Sequence, residues 1–126
     1  MGQKVNRHKV LLIDDDSTVK YSLEMCLDDV CEVTQMITVA DGLSILKKCD
    51  FDLVFLDLVM PSESGLDAIE DIYKANRFSH IVMLSSTNDA RAAAVAFQKG
   101  VFDYIVKPFS VKDIKDCVTR IKGSWW

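Results

Sequence analysis

Residues 51–61, FDLVFLDLVMP, decide how this chain is read: a short apolar run, Leu53-Val54-Phe55-Leu56, stops abruptly at a carboxylate, Asp57. An acid at the end of a buried run costs solvation unless something there uses its charge. Three more apolar runs end in chemically capable side chains. Val10 to Ile13 ends in Asp14-Asp15-Asp16, Ile81 to Leu84 in Ser85-Ser86, and Tyr104 to Val106 in Lys107-Pro108. If the four runs are parallel strands of one sheet, carboxylates, a hydroxyl and an ammonium gather at one edge. Metal-assisted phosphoryl transfer needs that combination.

Working outward, the segments between the runs read as helices. Asp16 or Ser17 is suited to cap a first helix carrying Val19, Leu23, Cys26, Leu27 and Val30 at spacings of three and four. Val33 to Val39 is β-branched and reads as a second strand, less buried and suited to an edge. Asp41-Gly42 reads as a turn before a short second helix with Leu43, Ile45 and Leu46. Leu58 to Ser64, with Pro61, reads as a loop before a third helix over Leu66 to Asn76 that buries Leu66, Ile69, Ile72 and Tyr73. Asn88 or Asp89 caps an alanine-rich fourth helix to Gln98, stopped by Gly100. Val101 to Val106 holds the fifth strand. Ser110 caps a fifth helix with Val111, Ile114, Cys117, Val118 and Ile121 on one face.

Alternating strands and helices imply right-handed crossovers and a doubly wound α/β fold, a parallel sheet covered on both faces. Ligands in such sheets bind beyond the carboxyl ends of the strands, where strand order reverses. For five strands ordered 2-1-3-4-5 that point lies between the first and third, beside Asp14, Asp15 and Asp57. The chain is 126 residues long and 49% hydrophobic, the size of one domain with a real core. The expected division is a flexible start at residues 1–8, a domain at 9–122 and a tail at 123–126. A net charge of −4 without a basic patch argues against direct nucleic-acid binding. No run is long enough to span a membrane, and MGQKVNRHK lacks the apolar core of a signal peptide. Cys26, Cys31, Cys49 and Cys117 are not spaced as zinc ligands and read as reduced thiols of a cytoplasmic protein.

Three carboxylates in one crevice repel one another, so either one keeps a proton or a cation neutralises them, and hard oxygen ligands favour magnesium. No glycine-rich phosphate loop is present, so the phosphate is not expected as a held nucleotide. A carboxylate can instead be the nucleophile and form an acyl phosphate. Each piece has an ordinary reading taken alone. Asp16 is a helix cap, Ser85-Ser86 a polar loop start, Lys107 a surface lysine, Tyr104 a core aromatic, and Pro61 and Pro108 turn residues. Only together, each at the end of its own apolar run, do they point to phosphoryl transfer.

That pattern, VLLIDDDSTV, DLVFLDLVMP, IVMLSS and FDYIVKPF in this order and spacing, resembles the response-regulator receiver domain of two-component signalling, over roughly Lys9 to Ile121. The resemblance implies a flavodoxin-like fold of the chemotaxis-regulator kind, with five helices around the 2-1-3-4-5 sheet. It implies Asp57 as phosphoacceptor and Asp15 as a direct Mg2+ ligand. Asp14 would act largely through water, and the Val59 carbonyl would complete the protein's share. Ser85 is implied as the switch hydroxyl, Lys107 as the cation paired with the phosphoryl group before a cis Lys107–Pro108 bond, and Tyr104 as the rotating aromatic. Ser86 holds a position where the family prefers a small residue. The implied partners are a sensor histidine kinase or phosphotransfer protein docking near the first helix, and an output domain or partner that the sequence does not name. The implied readout surface is the fourth helix, fifth strand and fifth helix, through which two copies could also pair. The segment AVAFQKGVFDYIVKPF is similar to receivers that precede transcription-activator domains.

A receiver is a switch that catalyses its own phosphorylation and dephosphorylation, not a turnover enzyme. The loop MPSESGL departs from the family, which commonly has a methionine and an aspartate before the glycine. Two other readings compete. Asp14-x-Asp16-x-Thr18-Val19 matches the nucleophile motif of haloacid-dehalogenase-like phosphatases, with Asp14 as nucleophile, but this leaves Asp57 unexplained. A degenerate receiver would be a phosphate-independent interaction module. The full set of Asp14, Asp15, Asp57, Ser85 and Lys107 argues against it.

Overall fold

The computed structural model describes residues 7–27 and 30–126. Five parallel strands, β1 (His8–Ile13), β2 (Cys31–Met36), β3 (Leu53–Asp57), β6 (Ile81–Ser85) and β7 (Asp103–Val106), form one sheet in the order β2-β1-β3-β6-β7. Two-residue strands β4 (Val59–Met60) and β5 (Glu63–Ser64) pair separately as an antiparallel hairpin. Leaving that hairpin out, the strand order is the expected 2-1-3-4-5. Five helices alternate with the strands: α1 (Ser17–Leu27), α2 (Val39–Leu46), α3 (Gly65–Ala75), α4 (Ala90–Gln98) and α5 (Val111–Lys122).

The continuous apolar runs have a physical reason. Both faces of the sheet are covered, so side chains on either side of the pleat must be apolar. Val10 and Leu12 of β1 join Leu53 and Phe55 of β3 in a core with Leu23 of α1 and Ile114 and Cys117 of α5. Leu11 and Ile13 point the other way and join Val54 and Leu56 with Leu46 of α2, Ile69 and Ile72 of α3 and Ala96 of α4. Both faces of β3 are therefore fully used, and each buried Leu or Phe there contributes about 2 kcal/mol. As α1 and α3 lie on opposite faces, the chain leaves β1 and β3 in opposite directions. The crevice this opens at the strand ends is where Asp14 and Asp57 emerge.

Several boundaries differ from expectation. The second strand is Cys31–Met36, not Val33 to Val39. Thr38 looks strand-like because it is β-branched, yet its hydroxyl accepts from the Asp41 N–H and caps α2. Asp41-Gly42 is consequently no turn but part of α2. Gly42 is there for space, since a Cβ at this position would lie 2.5 Å from the Ile13 Cδ1. The loop after β3 contains the β4–β5 hairpin. Leu66 and Tyr73 are half-buried, and Val111 is exposed on α5. The caps at Asp89 and Ser110 form as expected, the latter as a reciprocal box with Asp113. Gly100 ends α4 with φ +102°.

Of the expected flexible start, residues 1–6 lie outside the described residues, and His8 opens β1. The tail has a place. The Trp125 ring stacks on His8 at 4.1 Å and packs on the α1/α5 side of the core. Three cysteines are buried, Cys49 is exposed, and none of the four is in a disulfide. No described helix is long and apolar enough to cross a membrane.

Candidate phosphoryl-transfer site

The site is assembled by the ends of four strands. Asp14 follows β1 directly, and its N–H continues the ladder to the Met36 carbonyl of β2 (3.0 Å). Asp57 is the last residue of β3, in register with Leu84 of β6. Ser85 ends β6, and the Lys107 N–H donates to its carbonyl (2.6 Å), so the lysine emerges where β7 stops. Sheet pairing thus fixes the backbone of Asp14, Asp57, Ser85 and Lys107, and the turn after β1 carries Asp15.

The side chains converge. Lys107 Nζ lies 2.9 Å from Asp14 Oδ2 and 3.5 Å from Asp57 Oδ1. Asp14 is fully buried and Asp57 nearly so, while Asp15 is exposed at the rim. One carboxylate oxygen from each of Asp14, Asp15 and Asp57 lies within 4.8 Å of the others. Three carboxylates against one ammonium leave two negative charges uncompensated if all are ionised. The group sits in an open cleft of about 480 Å³, also lined by Thr18, Ser22, Val59, Ser86 and Phe109. Hard oxygen donors, excess negative charge and room for water suit a divalent cation such as magnesium.

Burial, then the neighbouring Asp14 charge, push the Asp57 carboxyl above its ordinary value. The Lys107 ammonium and the Val59 N–H, 3.4 Å from Asp57 Oδ1, only partly oppose this. For Lys107, burial pulls the pKa down, but its hydrogen bond to Asp14 and the charges of Asp14 and Asp57 outweigh burial and leave it raised. The phosphoacceptor candidate is therefore a carboxylate whose ionised form is destabilised until more positive charge reaches it. Perturbed groups in a cleft mark functional sites.

The remaining expected residues also lie close by. Ser85 is buried, and its Oγ accepts from the Thr87 N–H (3.1 Å). Tyr104 is half-buried, with its hydroxyl donating to the Thr87 carbonyl (3.0 Å), so it and Ser85 meet the same residue. Lys107–Pro108 is cis. Val59 is 64% exposed, its side chain lining the cleft.

Asp16 stands apart from the cluster. Its carboxylate accepts from the Thr18 N–H and hydroxyl as a helix cap, which holds it low. Asp113 is engaged in the Ser110 cap and Asp116 pairs with Lys112. The second acid of the phosphatase motif, Asp16, is thus engaged elsewhere.

Two supports gave no signal in the sequence. The Gln35 amide reaches the carbonyls of Asp14 and Asp16. Glu63 accepts from the Val39 N–H (3.1 Å), tying the loop after β3 to the start of α2, while neighbouring Ser64 caps α3. The unusual MPSESGL loop therefore has its own anchoring. Only its departure from the family pattern marked it in advance.

A family model described as the response regulator receiver domain matches residues 10–119. Chemotaxis protein CheY-3 of Vibrio cholerae is 34% identical over 118 residues, covering 90% of this chain and 90% of that protein. The probable C4-dicarboxylate response regulator DctR of Bacillus subtilis is 30% identical over 117 residues, covering 90% of this chain but 52% of that protein. The chain thus spans about half the length of some curated relatives and nearly all of others. In fold, a crystal structure of a response regulator from Thermotoga maritima superposes with a TM-score of 0.85 at 24% identity, covering 94% of this chain and all of that one.

Proposed function

Because this chain belongs to the response regulator receiver domain family of two-component signalling, we propose that it is a phosphorylation-dependent switch whose phosphoacceptor is Asp57. The observation that carries the reading is the joint placement of Asp57 and Lys107. A buried carboxylate with a raised pKa lies 3.5 Å from an ammonium that also grips Asp14. An Asp57 oxygen attacks phosphorus, the O–P bond forms, and the bond from phosphorus to the donor's leaving group breaks. That group is the imidazole of a phosphohistidine on a kinase or phosphotransfer protein, or acetate from acetyl phosphate. Lys107 compensates charge on the transferred oxygens, and the Val59 N–H orients the Asp57 carboxylate. Asp15, Asp57 and the Val59 carbonyl would hold Mg2+, with Asp14 beside them. The bound cation would supply the positive charge that the carboxylates and phosphoryl oxygens lack.

On phosphorylation Ser85 turns toward the new group and gives up its contact with Thr87, and Tyr104 follows inward. The change is read at α4, β7 and α5. The kinase docks near α1, in the cytoplasm, and the output belongs to a further domain or a separate protein.

Intact mass after incubation with acetyl phosphate tests the reading. One phosphoryl group is expected in the presence of magnesium, absent without it and absent in Asp57→Asn. An adduct that survives Asp57→Asn but needs Asp14 would restore the phosphatase reading. No adduct under any condition would favour a phosphate-independent module.

Val59 adds a kinetic expectation. Its apolar side chain at the cleft cannot orient attacking water, which favours a long-lived phosphoryl state. Val59→Asn is expected to lose phosphate about fivefold faster, a small part of what positioned proton acceptors supply. Decay of the labelled protein after donor removal measures this, and an equal or slower rate in the variant would reject it.

A further inference from the structure

We infer that Gln35 is a positioning residue for the cation-binding acids, holding the peptide group that precedes Asp15 and the carbonyl of Asp16 just beyond it; the inference rests on the magnesium-dependent reading above. The Gln35 side-chain nitrogen lies 2.7 Å from the Asp14 carbonyl and 3.1 Å from the Asp16 carbonyl. A primary amide carries two hydrogens, and here one goes to each carbonyl. Both partners are acceptors only, so the nitrogen rather than the oxygen must face them. Together with the Asp14 N–H to Met36 carbonyl bond, this stitches the turn after β1 to β2 at three points. Inside the turn the Asp16 N–H donates to Asp14 Oδ1 (2.9 Å).

The consequence falls on Asp15. Asp14 and Asp57 are buried and held by Lys107, but Asp15 is exposed, so its direction depends on its backbone. Like charge on its two neighbours pushes it outward. Gln35 fixes the peptide before Asp15 through the Asp14 carbonyl, Asp14 Oδ1 holds the peptide after it through the Asp16 N–H, and the Asp16 carbonyl anchors the turn beyond; together they keep the Asp15 Cα–Cβ direction where the three oxygens can meet one ion. Groups that orient ligands in this way contribute to metal affinity without touching the metal. The strand itself does not call for an amide at position 35. Its neighbours Val33 and Thr34 are ordinary strand residues, and Gln35 in its register opposite Leu12 is only half-buried.

Gln35→Leu keeps most of the side-chain length and removes both donors. Two measurements on the full chain test it: amide hydrogen exchange of residues 14–18 without added metal, and calorimetric titration with magnesium alone. Exchange at the Asp16 and Thr18 amides is expected to quicken. Magnesium binding is expected to weaken about tenfold, the low end for loss of an outer partner, at a melting temperature close to the parent's. Unchanged magnesium affinity, with or without a lowered melting temperature, would overturn the inference and leave Gln35 a structural residue. If the parent itself binds no magnesium, the reading above fails separately, and the exchange data alone support or overturn the hold on Asp15.

Discussion

Replacing Gly65 with alanine is expected to lower stability by about 3 kcal/mol, at the upper end of what overpacking costs, and the melting temperature by about 10 °C. Gly65 opens α3, and its N–H donates to the Leu58 carbonyl (2.8 Å). A Cβ there would overlap the carbonyl oxygen of Asp57 and come within 3.0 Å of the Asp57 carbonyl carbon and 3.1 Å of the Leu58 Cα. All of these atoms are backbone, so no side-chain rotation relieves the clash. β3 cannot retreat, being paired with β1 on one side and β6 on the other. The strain falls on the peptide that carries Asp57, so phosphorylation should slow as well. Gly42→Ala is the informative comparison, because the nearest atoms to its Cβ belong to the Ile13 side chain and not to backbone. Chemical denaturation should show a clearly smaller loss at Gly42 than at Gly65. Equal losses, or a parent-like Gly65→Ala, would contradict the close approach.

Lys107→Met is expected to slow phosphorylation of Asp57 about a hundredfold, the usual cost of removing one charge-stabilising donor. It should also change how stability depends on pH. Removing one partner of a buried ion pair costs roughly 3–5 kcal/mol. The Lys107 side chain keeps 18% exposure, so about 2 kcal/mol at neutral pH is the expected loss. The sign follows from Asp57. Its folded pKa already lies above the ordinary 3.8, through burial first and Asp14 second, and Lys107 is among the groups that restrain it. A carboxyl with a raised folded pKa contributes stability below its unfolded value and loses it as pH rises through the folded one. Without Lys107 the folded pKa climbs further. The deficit of the variant should therefore be small near pH 4 and grow toward pH 7. The parent alone also carries the raised Lys107 pKa, whose contribution is lost only as pH rises above 10.5. Denaturant titrations at several pH values check both signs. A deficit independent of pH would mean that Lys107 acts by packing, not charge.

The sequence showed the site more clearly than the frame around it. Buried parallel strands need apolar side chains on both faces, so each run stood out, and the residue that ended it stood out with it. Asp14, Asp57, Ser85 and Lys107 were visible for that reason, and strand register then brought them together. The errors cluster where one residue type serves two roles. Thr38 and Val39 are β-branched and looked like strand, but Thr38 caps a helix. Gly42 looked like a turn residue, yet it is small only to clear Ile13. The β4–β5 hairpin is too short to leave any periodicity. Gln35 and Glu63 act on backbone groups 19 to 24 residues away, and contacts at that range leave no pattern along the chain. Trp125 reached its place against His8 through a ring contact that depends wholly on the fold.

Phosphorus is expected to attach to Asp57. The most direct test treats the protein with acetyl phosphate and magnesium, reduces the acyl phosphate with borohydride, and maps the reduced position by peptide mass spectrometry. Reduction is expected at Asp57, within the peptide containing FDLVFLDLVMP, and at no other carboxylate. Reduction at Asp14 or Asp15 with Asp57 intact would contradict it.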